Sequence, residues 1–175
     1  MKRDSLKIIG LFALMAFFLG ACGNDMEQAE GEGDKQGQAD KSADAESKTM
    51  KVNEVLKAYY GIKNALVSAD LGTAMIATNK LKARANGKIA DLADKMNQST
   101  DLEGKRKVFE ELSSAIYEEV KANGGNKSTV YKIFCPMAFD NKGAFWLNES
   151  SEVKNPYFGD EMLDCGEVKE ELAAK

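Results

Sequence analysis

Between residues 50 and 125 the apolar positions recur every three or four residues, the period of helices buried along one face. Val52, Val55, Leu56, Tyr59, Ile62 and Leu66 predict a first helix from Met50 to Ser68, with Gly61 inside it as a weak point. Asp70 is placed to N-cap a second helix whose apolar face is Leu71, Ala74, Met75, Thr78, Leu81 and Ala85, with Gly87 positioned to end it. The short Ser68-Ala69 link makes these two an antiparallel hairpin. Ile89, Leu92, Ala93 and Met96 continue as a short third helix. Thr100 and Glu103 have capping-box spacing and open a fourth, carrying Leu102, Phe109, Leu112, Ile116 and Val120 and stopped by Gly124-Gly125. The pattern predicts a mainly α fold, an up-down bundle of about four helices whose Met and aromatic stripes fill the core.

After Asn126 the period changes. Val130 to Phe134 is dense in β-branched and aromatic residues and reads as a short strand that Pro136 breaks. Gly143-Ala144-Phe145-Trp146-Leu147 is a second compact apolar run, and Asn155-Pro156 can open a single helical turn ending near Gly159. Glu167 to Ala174 is expected to be a terminal helix. The aromatics gathered here, among them Phe134, Phe139, Tyr157 and Phe158, suggest that residues 126–175 fold back as a compact, irregular or short-β cap on the bundle.

The N-terminal residues follow another logic. Met1 to Lys7 is basic and Ile8 to Leu19 is apolar for only twelve residues, too short to span a bilayer as a helix. Leu19-Gly20-Ala21-Cys22 closes the stretch in the form of a bacterial lipobox, so residues 1–21 read as a lipoprotein signal peptide and Cys22 as the lipidated N-terminus of the mature chain. The protein is then expected at the cell envelope, lipid-anchored on a periplasmic or outer-membrane face. Residues 22–49 carry acids such as Asp25, Glu27 and Glu30 and no aromatic or branched aliphatic residue, which predicts an acidic, disordered tether. Residues 50–175 are left as a single domain.

Charge removes one class of partner. The full chain has 24 basic and 28 acidic groups; without the signal it is at about −6, and residues 50–175 are nearly balanced. A neutral domain without a basic stripe is a poor ligand for nucleic acid. The chain has no histidine, hence no Ser-His or Cys-His pair, and its C-terminal acids lie in a surface-like pattern. A non-enzymatic protein is the expectation.

Soft sulfur is the chemistry that remains. Cys135-Pro136-Met137 places two sulfurs on one side of an extended backbone, and Met162 with Cys165, three apart, share a face of a helical turn. Convergence of Cys135, Met137, Met162 and Cys165 would make a thiolate–thioether cage suited to Cu(I), or to Ag(I) by the same softness, with Phe145 or Trp146 as an apolar wall. The alternative uses the same cysteines in a plain Cys135–Cys165 disulfide, natural for an exported chain with an even pair left after lipidation. Spacing does not arbitrate between them.

The strings Tyr131 to Ala138, Gly143 to Leu147, Asn155 to Gly159 and Met162 to Gly166 resemble an uncharacterised family of Bacteroidetes-type lipoproteins. A similar domain occurs as a C-terminal extension on periplasmic adaptor subunits of heavy-metal efflux pumps. The resemblance runs over roughly residues 51 to 170 and includes Tyr60, Lys63, Leu66 and Asp70. It implies a role in copper or heavy-metal homeostasis, with an efflux adaptor or other envelope protein as partner. Cys135-Pro136-Met137 is also similar to the small metal-binding modules of copper ATPases and adaptors, although Ala138-Phe139 stands where those carry His-Pro. The other expectation is a structural or protein-interaction module stapled by Cys135–Cys165.

Overall fold

The computed structural model describes residues 37–175, with side chains from residue 51 onward. The predicted signal peptide, the predicted lipidation site Cys22 and residues 22–36 of the predicted tether lie outside the described residues. Four helices, α1 (Gly37–Val67), α2 (Leu71–Lys82), α3 (Gly87–Gln98) and α4 (Leu102–Asn123), pack each on the next, and α4 returns against α1. Three strands follow: β1 (Val130–Cys135), β2 (Ala144–Asn148) and β3 (Glu167–Leu172) form an antiparallel sheet in the order β2-β1-β3. The architecture is the predicted helical bundle with a short-β cap.

Helix α1 begins at Gly37, thirteen residues before the predicted Met50, so residues 37–49 are helical where a disordered tether was expected. These residues offer no apolar stripe, but Ala39, Ala43, Ala45, Glu46 and Lys48 are good helix formers. Extending an established helix costs far less than nucleating one.

Asp70 caps α2 as predicted, its carboxylate accepting the N–H of Thr73 at 2.9 Å. The buried face is rotated from the expected one: Ala74, Ala77, Thr78 and Leu81 are inside and Met75 is 52% exposed. Gly61 explains the rotation, since a Cβ on it would meet the Cβ of Ala77 at 3.3 Å. The glycine lets the small face of α2 approach α1 closely. Helix α2 stops at Lys82, and Gly87, expected to end it, instead opens α3. The cap of α4 is Asp101, which accepts the N–H of Gly104 at 2.7 Å, in place of the Thr100–Glu103 box.

The largest correction lies at the C-terminus, where Glu167–Leu172 is a strand and not a helix. Val168, Glu170 and Leu172 are half-buried while Glu167, Lys169 and Glu171 are exposed, a period of two imposed by pairing with β1. The core is continuous from bundle to cap: Tyr59, Ile62, Phe109 and Leu112 from the helices meet Ile133, Trp146 and Leu147 from the sheet.

Candidate functional site

Strand β1 carries Cys135 inward at its last position, opposite Ala144 of β2, and Pro136 then ends the ladder. Gly166, directly after Cys165, lies against the Trp146 ring and leads into β3. The two cysteines are joined in a disulfide with their Cα atoms 5.6 Å apart. The Cys135–Cys165 pairing, one of the two expectations for these residues, is therefore present.

A second set of contacts fixes the segment before Cys165. Asn155, fully buried, donates its backbone N–H to Leu163 O at 2.8 Å and its side-chain amide to Cys165 O at 2.8 Å, and accepts the N–H of Tyr157 at 2.8 Å. Cys165 N–H donates in turn to Met162 O at 3.1 Å. The predicted turn opened by Asn155-Pro156 is present and runs into a single 3₁₀ turn, Gly159–Glu161.

Between β1 and β2 the chain makes an unusual turn. Phe139, Asp140 and Asn141 all have positive φ, at 51°, 57° and 66°, a left-handed run that costs L-residues roughly 1–2 kcal/mol each. It is held by Gly143 N–H to Ala138 O at 2.9 Å and by the Phe139 ring edge-on to Tyr157 at 5.3 Å. Gly143, with φ 78°, sits under the Phe134 ring so closely that a Cβ would lie 2.4 Å from it.

This turn, the first half of α4 and the residues flanking the 3₁₀ turn border a groove of about 910 Å³, lined among others by Met137, Phe139, Phe158, Met162 and Arg106. Met137 is 46% exposed and Met162 half-buried. The two predicted thioether residues thus line one groove, flanked in sequence by the two cysteines. Arg106 is held at the groove wall by Nε donating to Pro156 O at 2.9 Å and Nη2 to Leu66 O at 3.4 Å. Partial burial lowers its pKa from the usual guanidinium value. At the rim Lys107 pairs with Glu103 and Glu111 with Lys95, both at 2.5 Å. Burial also raises the Tyr157 pKa, and its hydroxyl donates to Phe145 O.

The predicted walls separate. Trp146 pairs with Ile133 and so shares the inward face with Cys135, fully buried, its indole N–H without a partner among the described residues. Phe145 points to the other face, edge-on to Tyr117 at 5.6 Å and under the Lys132 ammonium. Strand alternation forbids both from facing one site, and neither lines the groove. Among the described residues no three His, Cys, Asp or Glu side chains are grouped as metal ligands.

Residues that periodicity did not single out include two buried lysines. Lys63 Nζ donates to Asn148 Oδ1 at 2.5 Å, and Lys105 Nζ donates to Met96 O at 2.9 Å, closing the end of α3. Both fall on the helical stripes, Lys63 four after Tyr59 and Lys105 four before Phe109, and a lysine on an apolar stripe is the signal that would have found them.

Residues 55–128 match the model of a family described as a protein of unknown function (DUF3347). The helical part is similar to an uncharacterised family. The match runs from α1 to the residues before β1, so it includes Arg106 and stops short of Cys135, Met137, Met162 and Cys165. It is narrower than the resemblance over residues 51 to 170 and leaves out the motifs on which that resemblance was drawn. No curated protein and no solved structure matches the chain.

Proposed function

We infer that this chain is a non-enzymatic interaction module of the cell envelope, anchored through a lipid on Cys22 and engaging a protein partner through the Met137/Met162 groove. The disulfide carries this reading, because it ties the segment bearing Met137 to the segment bearing Met162, and such a bond suits a protein of an oxidising compartment. Methionine suits such a surface: its flexible, polarisable side chain adapts to a partner. An envelope protein such as a heavy-metal efflux adaptor is the partner class the sequence resemblance implies. A photo-crosslinking residue at position 137 in living cells tests this. A discrete protein adduct that is absent from position 76, exposed on α2, supports the groove; equal adducts at both positions remove it.

The presence of both thioethers on one groove, two residues after Cys135 and three before Cys165, favours a second reading, Cu(I) or Ag(I) binding by the reduced form through Cys135, Met137, Met162 and Cys165. Its test is an anaerobic Cu(I) competition against a chromophoric chelator with the reduced protein. One-to-one binding that weakens in Met137→Leu/Met162→Leu supports a thiolate–thioether site, and no competition with the chelator excludes it.

A further inference from the structure

We propose that Cys135 and Cys165 are a reversible dithiol–disulfide pair, opened by attack on Cys165, in which Asn155 keeps the two sulfurs opposed in either state. A staple that holds otherwise loose ends leaves nothing in place when it is cut. Here each cysteine has its own support. Cys135 is fixed by the β1–β2 ladder opposite Ala144. Cys165 is fixed by the amide of Asn155 on its carbonyl, by its own N–H to Met162 O, and by the packing of Gly166 against Trp146. None of these contacts passes through the S–S bond. The Cα separation is 5.6 Å, inside the range a disulfide needs, and these contacts act to hold it there when the bond is open.

The pair is also asymmetric. Cys135 is fully buried and Cys165 only half-buried, which directs an incoming thiolate to Cys165. The chemistry is exchange with a dithiol reductant of the thioredoxin class. Its thiolate attacks Sγ of Cys165, the Cys135–Cys165 bond breaks, and Cys135 leaves as a thiolate that takes up a proton. The second thiol of the reductant then loses its proton and attacks the reductant's first sulfur in the mixed disulfide, and Cys165 leaves as a thiolate that takes up a proton. Two electrons pass to the pair and the reductant ends as a disulfide. The result is two free thiols, two and three residues in sequence from the groove-lining Met137 and Met162, without loss of the fold, whether or not a metal or a partner binds there.

The test is a dithiothreitol titration of the protein purified from the cell envelope, with thiols counted by alkylation against the Cys135→Ser/Cys165→Ser variant. Expected are two additional thiols under native conditions, an unchanged far-ultraviolet dichroism spectrum and re-formation of the bond when reductant is withdrawn. Resistance to reduction until denaturant is added, or loss of the spectrum on reduction, overturns the reversible pair. Attack at Cys165 requires that Cys165 in Cys135→Ser alkylates faster than Cys135 in Cys165→Ser; the opposite order overturns that step. Asn155→Asp removes the donor to Cys165 O and keeps the acceptor for Tyr157. Re-formation should slow about tenfold in it, since a held partner has a high effective concentration. Asn155→Ser serves if the buried aspartate misfolds, and an unchanged rate in the variant that folds overturns the positioning role.

Discussion

The hydroxyl of Tyr59 accepts the backbone N–H of Leu147 at 3.0 Å, so a side chain from α1 hydrogen-bonds to the outer edge of β2. Ser113 completes the chain: its Oγ donates to Phe109 O at 2.8 Å, which leaves Tyr59 to donate to Ser113 across 2.7 Å. Bundle and cap share one buried polar line. Tyr59→Phe leaves the Leu147 N–H unpaired inside the protein and should cost about 1–3 kcal/mol. Tyr60→Phe, at a half-buried position outside this line, should cost well under that. Urea unfolding of both variants checks the contrast, and equal losses would show that the line contributes nothing particular.

Lys63 sets an alkaline dependence. Burial lowers its pKa, with Glu149 and Glu152 pulling the other way and Lys154 adding to the lowering. The unfolded chain therefore binds more protons than the folded one between the depressed pKa and the usual lysine value of about 10.4, and stability rises with pH across that window. Lys63→Met removes the titration but also leaves Asn148 Oδ1 without its donor. Wild type should gain on the variant as pH is raised toward about 10, before the tyrosines titrate. Parallel stability curves from chemical denaturation at several pH values would show that Lys63 carries no such linkage.

Much of this framework was legible. Stripes at three-and-four spacing placed all four helices because each buries its own face, and Asp70 announced its cap by residue type alone. The Glu167–Leu172 strand was not legible, since its composition suits a helix and only the neighbouring β1 makes it a strand. Met75 was misplaced for a related reason: spacing fixes that a face exists, while the contact of Gly61 with Ala77 decides which one. The cysteines lie thirty residues apart, and only the folded chain shows that their backbones meet.

Two glycines separate backbone strain from crowding. Gly87 and Gly143 both have positive φ, but a Cβ at Gly87 meets nothing within 4 Å whereas one at Gly143 would strike the Phe134 ring. Gly87→Ala should lose about 1 kcal/mol from the left-handed backbone alone. Gly143→Ala should lose more than about 2 kcal/mol, because the ring must move as well. Thermal denaturation distinguishes them, and equal shifts would mean that Phe134 yields freely.

Loss of the disulfide should lower stability without abolishing the fold. Closing a loop of this length contributes roughly 3–4 kcal/mol on the chain-entropy view. Cys135→Ser/Cys165→Ser should therefore unfold at lower denaturant with an unchanged helical spectrum in its absence. A helical signal lost in plain buffer would place the bundle, and not only the cap, under the control of the bond.

The sheet also has a social consequence. An open strand edge invites a strand from a neighbouring molecule. Tyr59 occupies one border of this sheet, while the other strand carries Glu167, Glu170 and Glu171, with Asn126 donating to the Leu172 and Ala173 carbonyls at its end. One border is interrupted by a side chain from the bundle and the other is crowded with carboxylates and closed at its end, features that oppose edge-to-edge pairing with a neighbour.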